Sequence, residues 1–81
     1  MTKSVFSNEY RLFMKMLEQE RIQANLTQVQ LAKKLGKPQS YVSKYENGER
    51  RLDLIEFLQI ASCLHINVPD FIERLTAPET N

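Results

Sequence analysis

The sequence has little of what extracellular, metal-binding and membrane proteins depend on. Its 81 residues include a single cysteine, Cys63, so no internal disulfide can form, and the four-ligand spacing of a structural zinc site is missing. The longest apolar run is three residues, too short to cross a membrane, and the start, MTKSVFSNEY, lacks the apolar core of a signal peptide. These absences predict a cytoplasmic chain without a membrane partner, a metal or another cofactor.

The residues of most catalytic sites are also scarce. The chain has one histidine and no clustered pair of acids, so we can assemble neither a nucleophile with its base nor a metal site. The length suits one domain, and 42% apolar with 26% charged residues is ordinary for a globular protein with one small core. We therefore do not expect an enzyme.

Charge is unevenly distributed along the chain, although the net charge is only +1. Residues 22–51 contain six basic and two acidic groups, whereas residues 52–81 contain one basic and five acidic groups. The middle of the chain thus carries +4 and the last part −4, which favours contact between the middle and a polyanion. Chance clustering on a solvated surface is the alternative interpretation.

Apolar residues recur at helical spacing, and the alternating runs that indicate strands are missing. The pattern predicts an all-α fold of five helices, most of them beginning beside a capping residue or a proline. We place the helices at about residues 8–24, 28–35, 38–46, 54–64 and 68–75, in one domain over residues 1–75 with a flexible tail over residues 76–81.

The second and third helices are separated by a very short turn. Thr27 and Gln30 have the spacing of a capping box at the start of the second helix, and Gly36 suits the left-handed residue that ends it. The small side chain of Ala32 lets the two helices cross closely. Together these features indicate a helix-turn-helix.

The third helix has two different faces. Val42 and Tyr45 point to one side and should anchor the helix on the core. A face rich in Gln, Ser and Lys suits the major groove of DNA, because Gln can pair bidentately with adenine and Lys can donate to guanine or phosphate. The acid-free opposite face contains Gln39, Ser40, Ser43 and Lys44.

The segment LTQVQLAKKLGKPQSYVSKYENGERRLDLIEFLQIASCLHI resembles the DNA-binding domain of the Cro/C1-type (XRE) helix-turn-helix family, which includes lambdoid phage repressors. The resemblance covers about residues 17–75. It implies a lambda-repressor-like five-helix domain, a sequence-specific transcriptional regulator of repressor type, and a homodimer on a palindromic operator. The matching positions are Gln28, Leu31-Ala32, Leu35-Gly36, Gln39-Ser40, Val42-Ser43 and Glu46-Asn47-Gly48.

The resemblance also implies roles for individual residues. Gln28 should bind phosphate and brace the recognition helix, and Arg21 should form an internal ion pair with Glu46. Base reading falls to Gln39, Ser40, Ser43 and Lys44, and phosphate contact to Asn47, Arg50 and Arg51.

Three positions depart from the family pattern. Lys37 stands where an apolar residue often follows the turn glycine, which leaves it available for phosphate. Tyr41 is expected on the flank of the third helix, where it could pack, stack or touch the DNA backbone. His65 replaces a common glycine and should cap the carbonyls at a helix end rather than act as a ligand or switch.

The C-terminal helices hold more apolar residues than one stripe requires. We assign Leu54, Phe57, Leu58, Ala61 and Leu64 to the core. The remainder could form a dimer surface or could close the core of the monomer: Ile55, Ile60, Val68, Phe71, Ile72 and Leu75.

Other functions fit the same helix-turn-helix pattern. A protein-interaction module is one alternative, although a docking helix should present an apolar or acidic front. Activator, antitoxin and restriction–modification controller are further alternatives within DNA binding.

Overall fold

The computed structural model describes residues 7–77, which fold into five α-helices without any strand. The helix predictions lie within two residues of the observed bounds. Residues 1–6 and 78–81 lie outside the described residues, and Thr76, predicted in the tail, is the last residue of α5. None of the helices described is long and apolar enough to cross a membrane. The helices are α1 (Asn8–Gln23), α2 (Gln28–Leu35), α3 (Gln39–Glu46), α4 (Leu54–Leu64) and α5 (Val68–Thr76).

Four of these helices begin at a side chain that accepts a backbone N–H bond from the first turn. Ser7, Thr27, Asp53 and Asn67 are the capping residues, and the caps of α2 and α4 are complete capping boxes. The exception is α3, which begins after Pro38 without a side-chain cap. Pro38 therefore precedes the helix, which begins at Gln39, one residue later than predicted.

Four helices also end in the same way, on a residue with positive φ. These residues are Asn25, Gly36, Gly48 and His65, with φ of 60°, 69°, 79° and 57°. In each case the N–H of this residue donates to the carbonyl three residues earlier, and the N–H of the next residue donates to the carbonyl five residues earlier, as in the Schellman motif. A φ near +60° is unfavourable for residues with a Cβ, so the asparagine and histidine are less suited to it than glycine.

The turn between α2 and α3 is closed by such a pair of bonds. The Lys37 N–H donates to the Ala32 carbonyl at 2.9 Å, and the Gly36 N–H donates to the Lys33 carbonyl at 3.1 Å. A Cβ added to Gly36 would meet nothing within 4 Å, so φ rather than space accounts for the glycine. At the end of α4, His65 does cap the carbonyls, through its backbone N–H and with its side chain exposed.

The core lies between the helix-turn-helix and the last two helices. At the end where α1, α4 and α5 meet, Phe13, Phe57 and Phe71 pack together, with ring centroids 5.3 to 6.1 Å apart. Such aromatic contacts add to the burial of apolar area. The largest fully buried side chains are Tyr45, Phe71, Leu17, Leu31, Ile60 and Val42.

The buried face of α4 is rotated from the predicted one. Leu54 and Leu58, assigned to the core, are 66% and 41% exposed, and Ile60, left open between a dimer surface and the core, is fully buried. Most residues of α4 are apolar, so more than one stripe satisfies the helical period. The stripe that packs against α1, α2 and α5 is the one that is buried. It contains Phe57, Ile60, Ala61 and Leu64.

Two of the six residues that could form a dimer surface instead close the core of the monomer, which is the alternative that the sequence left open. Ile60 and Phe71 are fully buried and cannot contact a partner. Val68 and Leu75 are half-buried and pack against the core, which uses part of their apolar surface. Ile55 and Ile72 remain exposed.

Candidate nucleic-acid interface

The third helix is held from one side and open on the other. Val42 and Tyr45 are fully buried, and Tyr41, expected on the flank, is also buried, with 8% exposure. On the opposite side Gln39, Ser40 and Lys44 are exposed, while Ser43 is half-buried and its hydroxyl donates to the Ser40 carbonyl at 3.4 Å. Three of the four residues assigned to base reading thus face outward, and the fourth is turned back onto its own helix.

Arg21 and Glu46 form the internal ion pair that the resemblance implies. Arg21 Nε lies 2.8 Å from Glu46 Oε2, and Nη2 lies 3.2 Å from Oε1, so the contact is bidentate. The side chains are only 12% and 3% exposed. The hydrogen bonds to Glu46 raise the pKa of the Arg21 guanidinium. Because Arg21 Nη1 also donates to the Leu26 carbonyl at 2.8 Å, one guanidinium joins α1, the α1–α2 loop and the end of α3.

Two glutamines extend this pair to the exposed start of α3. Gln28 Nε2 donates to Glu46 Oε1 at 2.9 Å, and Gln39 Nε2 donates to Gln28 Oε1 at 3.2 Å. We call Arg21, Glu46, Gln28 and Gln39 the polar network. The brace that the resemblance implied for Gln28 is present, but the bond between Gln28 and Glu46 was not predicted. The two residues are far apart in sequence, and no local pattern connects them.

A second group of charges surrounds the ring of Tyr41. Lys37 Nζ lies 5.3 Å and Arg50 Cζ 5.0 Å from the ring centroid, within the range of cation–π contact. Arg50 Nη2 also donates to Glu56 Oε2, and Glu56 Oε1 accepts the capping bond from the Asp53 N–H. Arg50 thus already forms an ion pair with a carboxylate, whereas the side chain of Lys37 is exposed to solvent. No role in this region was predicted for Glu56 from the sequence.

The remaining predicted phosphate residues lie just after α3. Asn47 is exposed, and its backbone N–H donates to the Ser43 carbonyl at 2.9 Å, while the N–H of the following Gly48 donates to the Tyr45 carbonyl at 3.4 Å. Arg51 lies over the ring of Tyr10, with its guanidinium carbon 4.2 Å from the centroid. Arg51 therefore lies against α1, away from the Tyr41 ring.

Tyr45 carries a buried hydroxyl next to the polar network. The residue is fully buried, and its hydroxyl has no hydrogen-bond partner among the described residues. Burial raises the pKa of this phenol well above its usual value, because the charged form would lose its hydration. The described residues contain no group of His, Cys, Asp and Glu arranged to hold a metal ion.

Comparisons with known proteins agree with this arrangement. The sequence model of the helix-turn-helix family matches residues 17–71. The chain is similar to a solved structure of an XRE-family-like protein from Pseudomonas syringae pv. tomato str. DC3000, with 40% identity and a TM-score of 0.81. The match covers 85% of this chain and 84% of that one. The comparison with curated proteins found no match.

Proposed function

This chain belongs to the XRE family of helix-turn-helix proteins, which are DNA-binding transcription regulators, and from that premise we propose that it represses transcription at a palindromic operator. It acts in the cytoplasm as a homodimer, and each copy reads the major groove with α3. Helix-turn-helix dimers place two such helices about one turn of DNA apart, so the symmetry of the protein matches that of the site.

The exposed face of α3 is the observation that carries this proposal. Gln39, Ser40 and Lys44 can donate or accept hydrogen bonds at base edges, and no acid is exposed among them. Three buried side chains behind them keep the helix in place: Tyr41, Val42 and Tyr45. A face of this kind is unsuited to an apolar partner helix, which argues against a pure protein-interaction module.

The charge around α3 supports contact with the DNA backbone. Lys37 precedes the helix, and Asn47, Arg50 and Arg51 follow it, so we assign to them the phosphates that border the groove. Gln28 adds an amide at the start of α2, where backbone N–H groups and the helix dipole favour an anion. These contacts would set the position of the protein on DNA without selecting its sequence.

The apolar surface of α4 and α5 supports dimerisation. Ile55 and Ile72, expected to face a partner, are 61% and 40% exposed, and Leu54 and Leu58 join them. Leu54, Ile72 and Leu75 border one cleft of about 340 Å³. A single domain this small contacts few base pairs, so pairing of two copies would double the site and its selectivity.

Selection of bound sequences from a random DNA pool tests the proposal. We expect enrichment of a two-fold symmetric site and footprints of two half-sites about one helical turn apart. Absence of any enriched sequence would contradict sequence-specific binding. A reporter gene controlled by the selected site should lose expression when the protein is produced, whereas a gain would identify an activator.

Two substitutions separate base reading from phosphate contact. Gln39→Ala should weaken binding to the selected site by about 1–3 kcal/mol, with little change on random DNA. Lys37→Ala should weaken binding to both DNAs and reduce the slope of log K against log salt by about one. Equal losses on both DNAs for Gln39→Ala would remove it from base reading.

The dimer is tested at an exposed position that the fold does not need. Ile55→Asp should leave each copy folded, because the side chain is exposed in the monomer, and any fall in melting temperature should reflect only the lost association. It should shift sedimentation from dimer to monomer at micromolar concentration and weaken operator binding. A wild-type protein that remains monomeric at high concentration would contradict the homodimer.

A further inference from the structure

Hydrogen-bond chemistry fixes the direction of every bond in the polar network. An ionised carboxylate only accepts hydrogen bonds, whereas a glutamine amide has one accepting and one donating end. Glu46 Oε1 lies 2.9 Å from an end of the Gln28 amide, so that end must be the donating NH₂. The reverse orientation would place two acceptors against each other at hydrogen-bond distance.

The orientation of Gln28 then determines that of Gln39. With its NH₂ on Glu46, Gln28 turns its Oε1 toward α3, and Gln39 can meet this acceptor only with its own NH₂, at 3.2 Å. Gln39 keeps its Oε1 and its second N–H for a ligand. One acceptor beside one donor complements the major-groove edge of adenine, which offers N7 and N6–H₂, and fits neither guanine nor thymine.

We propose that Glu46, held by Arg21, is a positioning residue that sets the amide orientation of Gln39 through Gln28 and thereby selects adenine at one operator position. This inference rests on the proposed function and adds to it a specificity role for a residue that touches no DNA. Glu46 is 3% exposed at the far end of α3 from Gln39, so it acts only through the network.

The relative strength of the two hydrogen bonds supports the proposal that Glu46 orients Gln28 and that Gln28 orients Gln39. A hydrogen bond to a charged group is roughly twice as strong as one between neutral groups. The Glu46–Gln28 contact is of the first kind and is partly buried, whereas the Gln28–Gln39 contact is of the second kind and exposed. The carboxylate therefore fixes the shared glutamine, and the shared glutamine fixes the exposed one.

The test compares affinities for four operators that differ only at the base pair identified by the Gln39→Ala experiment. Glu46→Gln keeps the size of the side chain but supplies an amide that can either donate or accept. Gln28 can then adopt both orientations. We expect wild type to prefer adenine by about tenfold or more, and Glu46→Gln to lose most of that preference while other operator positions keep theirs.

The ratio of two affinities separates positioning from stability. A variant that is partly unfolded, or that has lost a phosphate contact, loses affinity for all four operators by the same factor, and the ratio is unaffected. Glu56→Gln is the matched control, because it makes the same change in a carboxylate that pairs with an arginine but lies outside the polar network. It should leave the adenine preference unchanged.

A double substitution tests the route through Gln28. Gln28→Leu should by itself reduce the adenine preference as Glu46→Gln does, and adding Glu46→Gln to it should cause no further loss. A preference that survives Glu46→Gln, a further loss in the double variant, or a wild-type preference for another base would overturn the inference. Those results leave DNA binding intact, whereas absence of any selected site would contradict the proposed function itself.

Discussion

The two ends of this domain are stabilised by different forces. Around α3, Arg21, Gln28, Gln39 and Glu46 are joined by directional hydrogen bonds, in which each donor faces one acceptor. Where α1, α4 and α5 meet, packing of three phenylalanine rings dominates. Apolar burial contributes more stability and constrains orientation less, whereas the hydrogen bonds contribute less net stability and constrain orientation more. The difference predicts that stability and base selection can be changed separately.

The largest effect on stability should come from the aromatic end. Phe71→Ala removes a fully buried ring from the contact with Phe13 and Phe57, so we expect the free energy of unfolding to fall by about 3–5 kcal/mol. Urea denaturation measures this loss. At a temperature where the variant stays folded, its preference among operators should equal that of wild type. A loss below about 1 kcal/mol would contradict the core position of Phe71.

A smaller loss is expected at the centre of the polar network. Glu46→Ala leaves Arg21 without its carboxylate in a site where that arginine is 12% exposed, which should lower stability by about 3 kcal/mol. Thermal and urea unfolding measure it. Glu20→Ala, which breaks the exposed pair with Arg74, is the control and should lose much less. Equal losses from the two variants would place the Arg21–Glu46 pair among ordinary surface contacts.

Removing the buried hydroxyl of Tyr45, which lies between the two ends, should increase stability. Tyr45→Phe removes a buried hydroxyl without a partner among the described residues and keeps the ring, so we expect a gain of about 1 kcal/mol. Denaturation of both proteins at neutral pH tests this. A loss of stability on removing the hydroxyl would mean that a water molecule bonds it.

The pH dependence of stability tests the burial of the Tyr45 hydroxyl in a second way. The pKa of Tyr45 is raised above the ordinary 10.0, so the unfolded chain loses this proton at a lower pH than the folded one. The stability that comes from keeping the phenol neutral is complete below pH 10 and is lost as pH rises further. Wild type should therefore lose more stability than Tyr45→Phe in alkaline solution.

The smallest effect should come from the end of α4. His65→Gly relieves a non-glycine residue with φ of 57°, and we expect a gain of up to about 1 kcal/mol. Differential scanning calorimetry measures it. Asn25→Gly, at the equivalent position after α1, should gain less because asparagine tolerates this conformation better. A loss of stability in His65→Gly would show that the histidine side chain contributes a contact of its own.

The sequence by itself determined the parts of the structure that depend on neighbours along the chain. The five helices, the capping boxes at Thr27 and Asp53 and the left-handed glycine of the turn all follow from interactions within a few residues. The buried side of α3 was predicted for the same reason, because Val42 and Tyr45 are the apolar pair of an otherwise polar helix. The resemblance to the family added the Arg21–Glu46 pair.

The tertiary structure decided what depends on surfaces that meet only after folding. The apolar residues of α4 allow more than one buried stripe, and only the neighbouring helices select Ile60 for the core and leave Leu54 exposed. Likewise, no local pattern brings Gln28 to Glu46 or Glu56 to Arg50. The helical period specifies which residues share a face of a helix. Which side chains of other helices contact that face is decided only when distant segments pack together.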